Sequence, residues 1–129
     1  MNPKLLILED DASICKVYVL MLNRFGIDVD VVGSGEEAIE RYKAARAAGT
    51  PYLGVILDLT VVTGMGGLAT LKQLKTIDPG VYAIVASGAS HETTQSRYHD
   101  QGFSDALPKP FRVTDVQDCV ARLKAASAS

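Results

Sequence analysis

Short, dense apolar runs alternate with stretches of helical spacing along the whole chain. Lys4–Leu8 is aliphatic after its first residue, and Ile27–Val32 alternates before turning apolar. Tyr52–Asp58, Val81–Ala86 and Phe103–Leu107 are three more such runs. Runs of this length rich in Val, Ile and Leu read as buried strands, here expected at 4–9, 27–32, 52–58, 81–86 and 103–107. Between them, apolar residues recur three and four apart. Ile14, Val17, Tyr18, Met21, Leu22 and Phe25 form one stripe, and Ala38, Ile39, Tyr42 and Ala45 a second. Leu68, Leu71, Leu74 and Ile77 form a third, and Val113, Val116, Val120 and Leu123 a last. The stripes predict helices over 12–25, 35–48, 66–77 and 113–125. Residues 91–100 have the length of a helix but almost no large apolar side chain, which predicts a weakly anchored, mobile one.

The punctuation agrees with the periods. Asp11 is a candidate N-cap for the first helix and Gly26 its stop. Ser34 with Glu37 has the spacing of a capping box, and Gly49-Thr50-Pro51 ends that helix. Asp78-Pro79-Gly80 ends the third. Five strands alternating with five helices predict right-handed crossovers and a parallel sheet covered on both faces. The uniformly apolar strands suit burial on both sides, whereas Asp28 and Asp30 suit an edge position for the second strand. No repeat or internal linker interrupts the count, so residues 1–129 read as one domain.

Composition narrows the function classes. With 47% apolar and 22% charged residues the chain has the balance of an ordinary soluble globule. A net charge of -2 gives no bulk attraction for nucleic acid. No apolar run reaches the length of a membrane span or a signal peptide, so a cytoplasmic location is expected. Cys15 and Cys119 match no metal spacing and read as reduced thiols. The tail Lys124–Ser129 is small and polar, as a frayed end or a linker would be.

In a parallel sheet the carboxyl ends of the strands share one edge, where ligands bind. The polar residues there are Glu9 and Asp10, Asp58, Ser87 and Lys109, each just after an apolar run. Clustered carboxylates raise one another's proton affinity unless a cation joins them. Oxygen ligands without His or Cys suit Mg²⁺, with Mn²⁺ as the alternative. A carboxylate beside Mg²⁺ can attack phosphorus to form an acyl phosphate. Lys109, Ser87 and backbone N–H groups around Thr60 and Gly88 would then receive the phosphoryl oxygens.

LLILEDD at the first strand, ILDLT at the third, AIVASG at the fourth and LPKPF at the fifth together resemble the receiver domain of two-component response regulators. The resemblance covers essentially the whole chain. It implies a flavodoxin-like sheet of order 2-1-3-4-5, with Asp58 as phosphoacceptor. Glu9 and Asp10 match the acidic pair that holds Mg²⁺, and the carbonyl of Thr60 matches a backbone ligand. Ser87 matches the switch hydroxyl, Lys109 the family's site lysine, and Lys109–Pro110 a bond that is usually cis. The implied partners are a sensor histidine kinase or a histidine phosphotransfer protein. The implied catalysis is limited to Mg²⁺-dependent self-phosphorylation from a donor and autodephosphorylation.

Two positions depart from the family. Val62 stands where a proline usually follows the phosphoacceptor, which loosens the loop, and TGMGG resembles the loop of receivers in hybrid sensor kinases. Ala106 replaces a usual aromatic, so a Tyr-coupled switch is absent and signalling would run through Ser87 and the helix at 91–100. A free-standing regulator is the second reading of origin, and self-association through the last two helices stays open.

Other classes fit less well. Asp11 reads as a cap rather than a ligand, and His91 and His99 as solvated. Val61 and Val62 read as packed down rather than as a partner surface. A haloacid-dehalogenase-type phosphatase wants a second acid at Thr60. A flavin phosphate would be repelled by the acids after the first strand. A pure interaction module would have no need of three acids held together.

Overall fold

The computed structural model describes residues 3–59, 65–87 and 98–128, with the side chains of Ser87 and Ala128 left out. Its strands are β1 (Lys4–Leu8), β2 (Asp28–Val32), β3 (Gly54–Asp58), β4 (Ala83–Ser87) and β5 (Asp105–Pro108). The helices are α1 (Ala12–Arg24), α2 (Gly35–Ala47), α3 (Gly67–Ile77), α4, of which residues 98–101 are described, and α5 (Val113–Ala128). All pairings are parallel and the order is β2-β1-β3-β4-β5, the expected doubly wound arrangement.

Side chains alternate across each strand, and the alternation sorts the core into two layers. Leu6, Leu8, Val55, Leu57, Ala83 and Val85 pack with Ala38, Ile39 and Tyr42 of α2 and Leu71 and Leu74 of α3. Leu5, Ile7, Ile56, Ile84 and Ala86 pack on the other face, with Tyr18 and Leu22 of α1 and Val116, Cys119, Val120 and Leu123 of α5. β2 lies at the edge, where Asp30 accepts a hydrogen bond from Tyr52 Oη at 2.6 Å and pairs with Lys4 at 3.6 Å.

Local signals act as the residue types require. Asp11 accepts from Ser13 N and Ile14 N at 2.8 and 3.1 Å, capping α1, and Ser34 Oγ accepts from Glu37 N at 3.3 Å. Gly26 and Gly49 take φ of 78° and 79° just beyond their helices, a conformation that costs glycine little.

The structure corrects several boundaries. β3 begins at Gly54 rather than Tyr52, β4 at Ala83 rather than Val81, and β5 at Asp105 rather than Phe103. In each case apolar residues that pack on the core precede the ladder, so burial alone overstates the strand. Val17 is 39% exposed although it falls in the apolar stripe, because α1 buries the Tyr18–Leu22 seam and turns Val17 outward. Val113, at the first turn of α5, is likewise 39% exposed. Most of the expected helix at 91–100, including His91, lies outside the described residues, as do Val61 and Val62.

Candidate functional site

Strand register brings the site residues to one edge. β1 and β3 run side by side with Leu8 opposite Leu57, so the next residues, Glu9 and Asp58, follow together. Asp58 is opposite Ala86, and Ser87 opposite Pro108, which precedes Lys109. Glu9 N still donates to Val32 O at 3.0 Å, fixing it to the sheet.

Glu9 and Asp58 are 3% and 1% exposed, and Lys109 joins them. Its Nζ lies 2.6 Å from Asp58 Oδ2 and 3.0 Å from Glu9 Oε1. Glu9 Oε2 also accepts from the backbone N–H groups of Asp10 and Asp11 at 3.1 and 3.2 Å. Burial, then the contact with Asp58, raises the Glu9 pKa above its usual value. Burial opposes the charge on Lys109, but the bonds to Asp58 and Glu9 outweigh it and raise its pKa. One ammonium against two buried carboxylates leaves excess negative charge, which a hard divalent cation fits.

Asp10 is exposed, one residue beyond the buried pair. Among the described residues no third His, Cys, Asp or Glu side chain joins Glu9 and Asp58 in a ready-made metal cluster. Ser87 closes β4, but its side chain is not described, and Thr60 and Gly88 lie outside the described residues. Ala106 is 9% exposed and sits in the core beside Val85, Phe103 and Tyr98 rather than at the site. Lys109–Pro110 is cis, as expected.

A protein-family model of the response regulator receiver domain matches residues 5–121. The chain belongs to that family. It is a receiver, a phosphoacceptor signalling domain of two-component systems. The receiver is 33% identical over 120 residues to the DNA-binding transcriptional regulator NtrC of Escherichia coli, covering 93% of this chain and 24% of that protein. It is 29% identical over 125 residues to the DNA-binding response regulator MtrA of Mycobacterium tuberculosis, covering 97% of this chain and 50% of that one. The chain therefore spans only a quarter to a half of the curated relatives it matches. A structure of the receiver domain of a sensor histidine kinase from Pseudomonas aeruginosa, described with magnesium in its active-site cleft, superposes with a TM-score of 0.81. That likeness covers 95% of this chain and 98% of the other, at 20% identity, and bears on the fold alone.

Several parts of the receiver's site were not foreseen. Tyr18 stacks on Phe111, two residues past Lys109, at 4.8 Å between ring centroids. Cys15 Sγ donates to Glu9 O at 3.6 Å, and burial, then the nearby acids, pushes its thiol pKa up. Gly67 lies against the acidic strand end: a Cβ there would meet Asp58 O at 3.0 Å. Of these, Gly67 had a sequence signal in the repeated glycines after Asp58. The aromatic stack had none, because Tyr18 and Phe111 are far apart in the chain.

Proposed function

We propose that Asp58 is the phosphoacceptor of this receiver, and that Glu9, Asp10, Asp58 and the carbonyl of Thr60 hold Mg²⁺. The supporting observation is the ion pair of Lys109 with two nearly buried carboxylates at the carboxyl edge of the sheet. Mg²⁺, when bound, offsets the carboxylates' repulsion and the charge that builds on the phosphoryl oxygens. Mn²⁺ would meet the same oxygen donors.

In the proposed step, an Asp58 carboxylate oxygen attacks the phosphorus of a phosphohistidine. The new O–P bond forms as the P–N bond breaks, and the imidazole leaves with the electron pair and takes up a proton. Lys109 Nζ turns from the Asp58 carboxylate to a phosphoryl oxygen, keeping one charge-assisted bond for another. Ser87 Oγ and the backbone around Thr60 and Gly88 supply further donors. Hydrolysis of the acyl phosphate restores the carboxylate. Phosphorylation thus exchanges the partner of Lys109, a local electrostatic change that biases a two-state equilibrium. With Ala106 in place of an aromatic, that bias passes through Ser87 and the segment 91–100.

The donor partner is a sensor histidine kinase or a histidine phosphotransfer protein. No helix among the described residues is long and apolar enough to cross a membrane, which accords with the cytoplasmic setting proposed for this chemistry. The TGMGG loop supports a receiver of a hybrid sensor kinase, with residues 1–129 as its single receiver unit. The likeness to NtrC and MtrA, both DNA-binding regulators, supports a second reading, the receiver of a transcription factor whose other domains contact DNA. Self-association of the receiver would be weak in either setting.

Intact mass after incubation with Mg²⁺ and acetyl phosphate tests the acceptor. The expected gain is one phosphoryl group in the wild type and none in Asp58→Asn or after chelation. An equal gain in Asp58→Asn would overturn the assignment. If acetyl phosphate fails, phosphorylated histidine kinase serves as donor, and failure there too rejects the reading.

A further inference from the structure

Glu36 stands in the exposed first turn of α2, just past the carboxyl end of β2, and its Oε1 accepts a hydrogen bond from Met65 N at 2.6 Å. That bond, the larger of two backbone contacts, holds its carboxyl below the usual range. Gly35 beside it is buried, and the space is filled. A Cβ there would overlap Thr70 Oγ1 and stand 2.6 Å from Met65 O. Thr70 Oγ1 in turn donates to Gly66 O at 2.8 Å. The start of α2 therefore holds residues 65–70 through the hydrogen bond from Met65 N to the Glu36 carboxylate and the close contact at Gly35. The other side of the same strip lies against the end of β3, at Gly67, where an added Cβ would stand 3.0 Å from Asp58 O.

We infer that Glu36 is a positioning residue for the chemistry at Asp58, clasping Met65 and thereby fixing where the chain returns beside the acidic strand end. The inference rests on the proposed reading of Asp58 as acceptor. Val62 stands where a proline would restrict the chain before folding. Here a carboxylate reaching from a different helix supplies the restraint after folding. A charge-assisted bond to a backbone amide suits that task because it fixes the chain without depending on the side chain of residue 65. Small displacements of a reacting group are costly in rate, so a clasp one contact removed from Asp58 acts on the reaction through position alone.

Glu36→Ala and Glu36→Gln separate this role from a general effect of charge at a helix start. Both variants lose the carboxylate that favours a helix N-terminus, but only glutamine keeps an oxygen acceptor. Amide exchange at Met65 and the rates of phosphorylation by acetyl phosphate and of subsequent hydrolysis are measured in all three proteins. In Glu36→Ala, exchange at Met65 should speed about tenfold. Phosphorylation should slow roughly three- to tenfold in the same variant. Glu36→Gln should stay within about twofold of the wild type on both readouts. Wild-type rates in Glu36→Ala, or glutamine behaving as alanine does, would overturn the positioning role. A wild type that takes no phosphoryl group from any donor would overturn the reading of Asp58 and the positioning role with it. Met65 exchange would still report whether the clasp exists.

Discussion

Lys109 and Asp58 are joined by a 2.6 Å ion pair across fifty-one residues of sequence, at the one edge where β3 and β5 both end. Glu9 shares the same ammonium at 3.0 Å, so a single positive charge serves two buried acids. The lysine is thus a structural counter-ion as well as the proposed phosphoryl-binding group, and the two roles can be separated by experiment.

Lys109→Ala should destabilise the receiver by about 3 kcal/mol in metal-free buffer, because both carboxylates lose their cation. Added Mg²⁺ should stabilise the variant more than the wild type, since it meets acids no longer neutralised. Urea midpoints with and without Mg²⁺ check this. Equal increments in the two proteins would mean that the cation does not reach the buried pair.

Tyr18 is 1% exposed, and its hydroxyl has no hydrogen-bond partner among the described residues. Burial, then the nearby Glu9 and Asp58, pushes its pKa well up, so the group stays neutral. The ring borders a cavity of about 10 Å³ otherwise lined by apolar side chains and Cys119. An unpaired buried hydroxyl costs about 1–3 kcal/mol, so Tyr18→Phe should raise stability by about 1 kcal/mol. Equilibrium unfolding reads the difference. A loss instead would place a bound water on the hydroxyl, for which the cavity is barely large enough.

Asp78 ties the end of α3 to α2. It accepts from Tyr42 Oη at 2.7 Å and from Gly80 N at 3.1 Å, and pairs with Arg46 at 2.8 Å. Burial favours the protonated carboxyl, but these partners outweigh it and lower the Asp78 pKa. A carboxylate with a depressed folded pKa contributes stability above its unfolded pKa of about 3.9 and loses it as pH falls through the folded value. Asp78→Asn should therefore cost about 1–2 kcal/mol at pH 7. The gap from wild type should hold down to about pH 5 and close below about pH 4. Tyr42 does not titrate in this range, because burial and Asp78 push its hydroxyl up. Urea midpoints at neutral and acidic pH decide it, and a gap that persists in acid would remove the carboxylate from the explanation.

Gly35→Ala should destabilise by about 1–3 kcal/mol, since the added methyl meets Met65 backbone and Thr70 and neither is the end of a long flexible chain. Gly33→Ala is the matched control. Nothing lies within 4 Å of a Cβ there, and its φ is not positive, so it should be neutral or slightly stabilising through the unfolded chain. Thermal unfolding of the pair reads the contrast.

Much of the site was legible because it depends on strand ends. Glu9, Asp58 and Lys109 each follow an apolar run, and parallel strands must end on one edge, so their meeting follows from the period and the fold class. The clasp of Glu36 on Met65 and the Asp78 junction were not legible. Each joins groups far apart in sequence, one on α2 and the other beside an end of α3, and neither residue differs in type from an ordinary solvated acid. Asp105 with Arg122, paired at 2.6 Å between β5 and α5, escaped for the same reason. Of the three acids expected to converge, Glu9 and Asp58 form a buried pair on Lys109, and Asp10 stands exposed beside Glu9.

Sequence by itself determined the alternation of strands and helices, the caps at Asp11 and Ser34, and the set of polar residues carried to the edge. Those depend on short-range period and backbone chemistry, which any chain segment carries with it. Tertiary structure decided which cation sits between Glu9 and Asp58, which flank of α1 faces water, and which distant acid grips the chain after Asp58. Those depend on distances across the closed sheet, and a difference of two or three ångströms there separates a hydrogen bond from none.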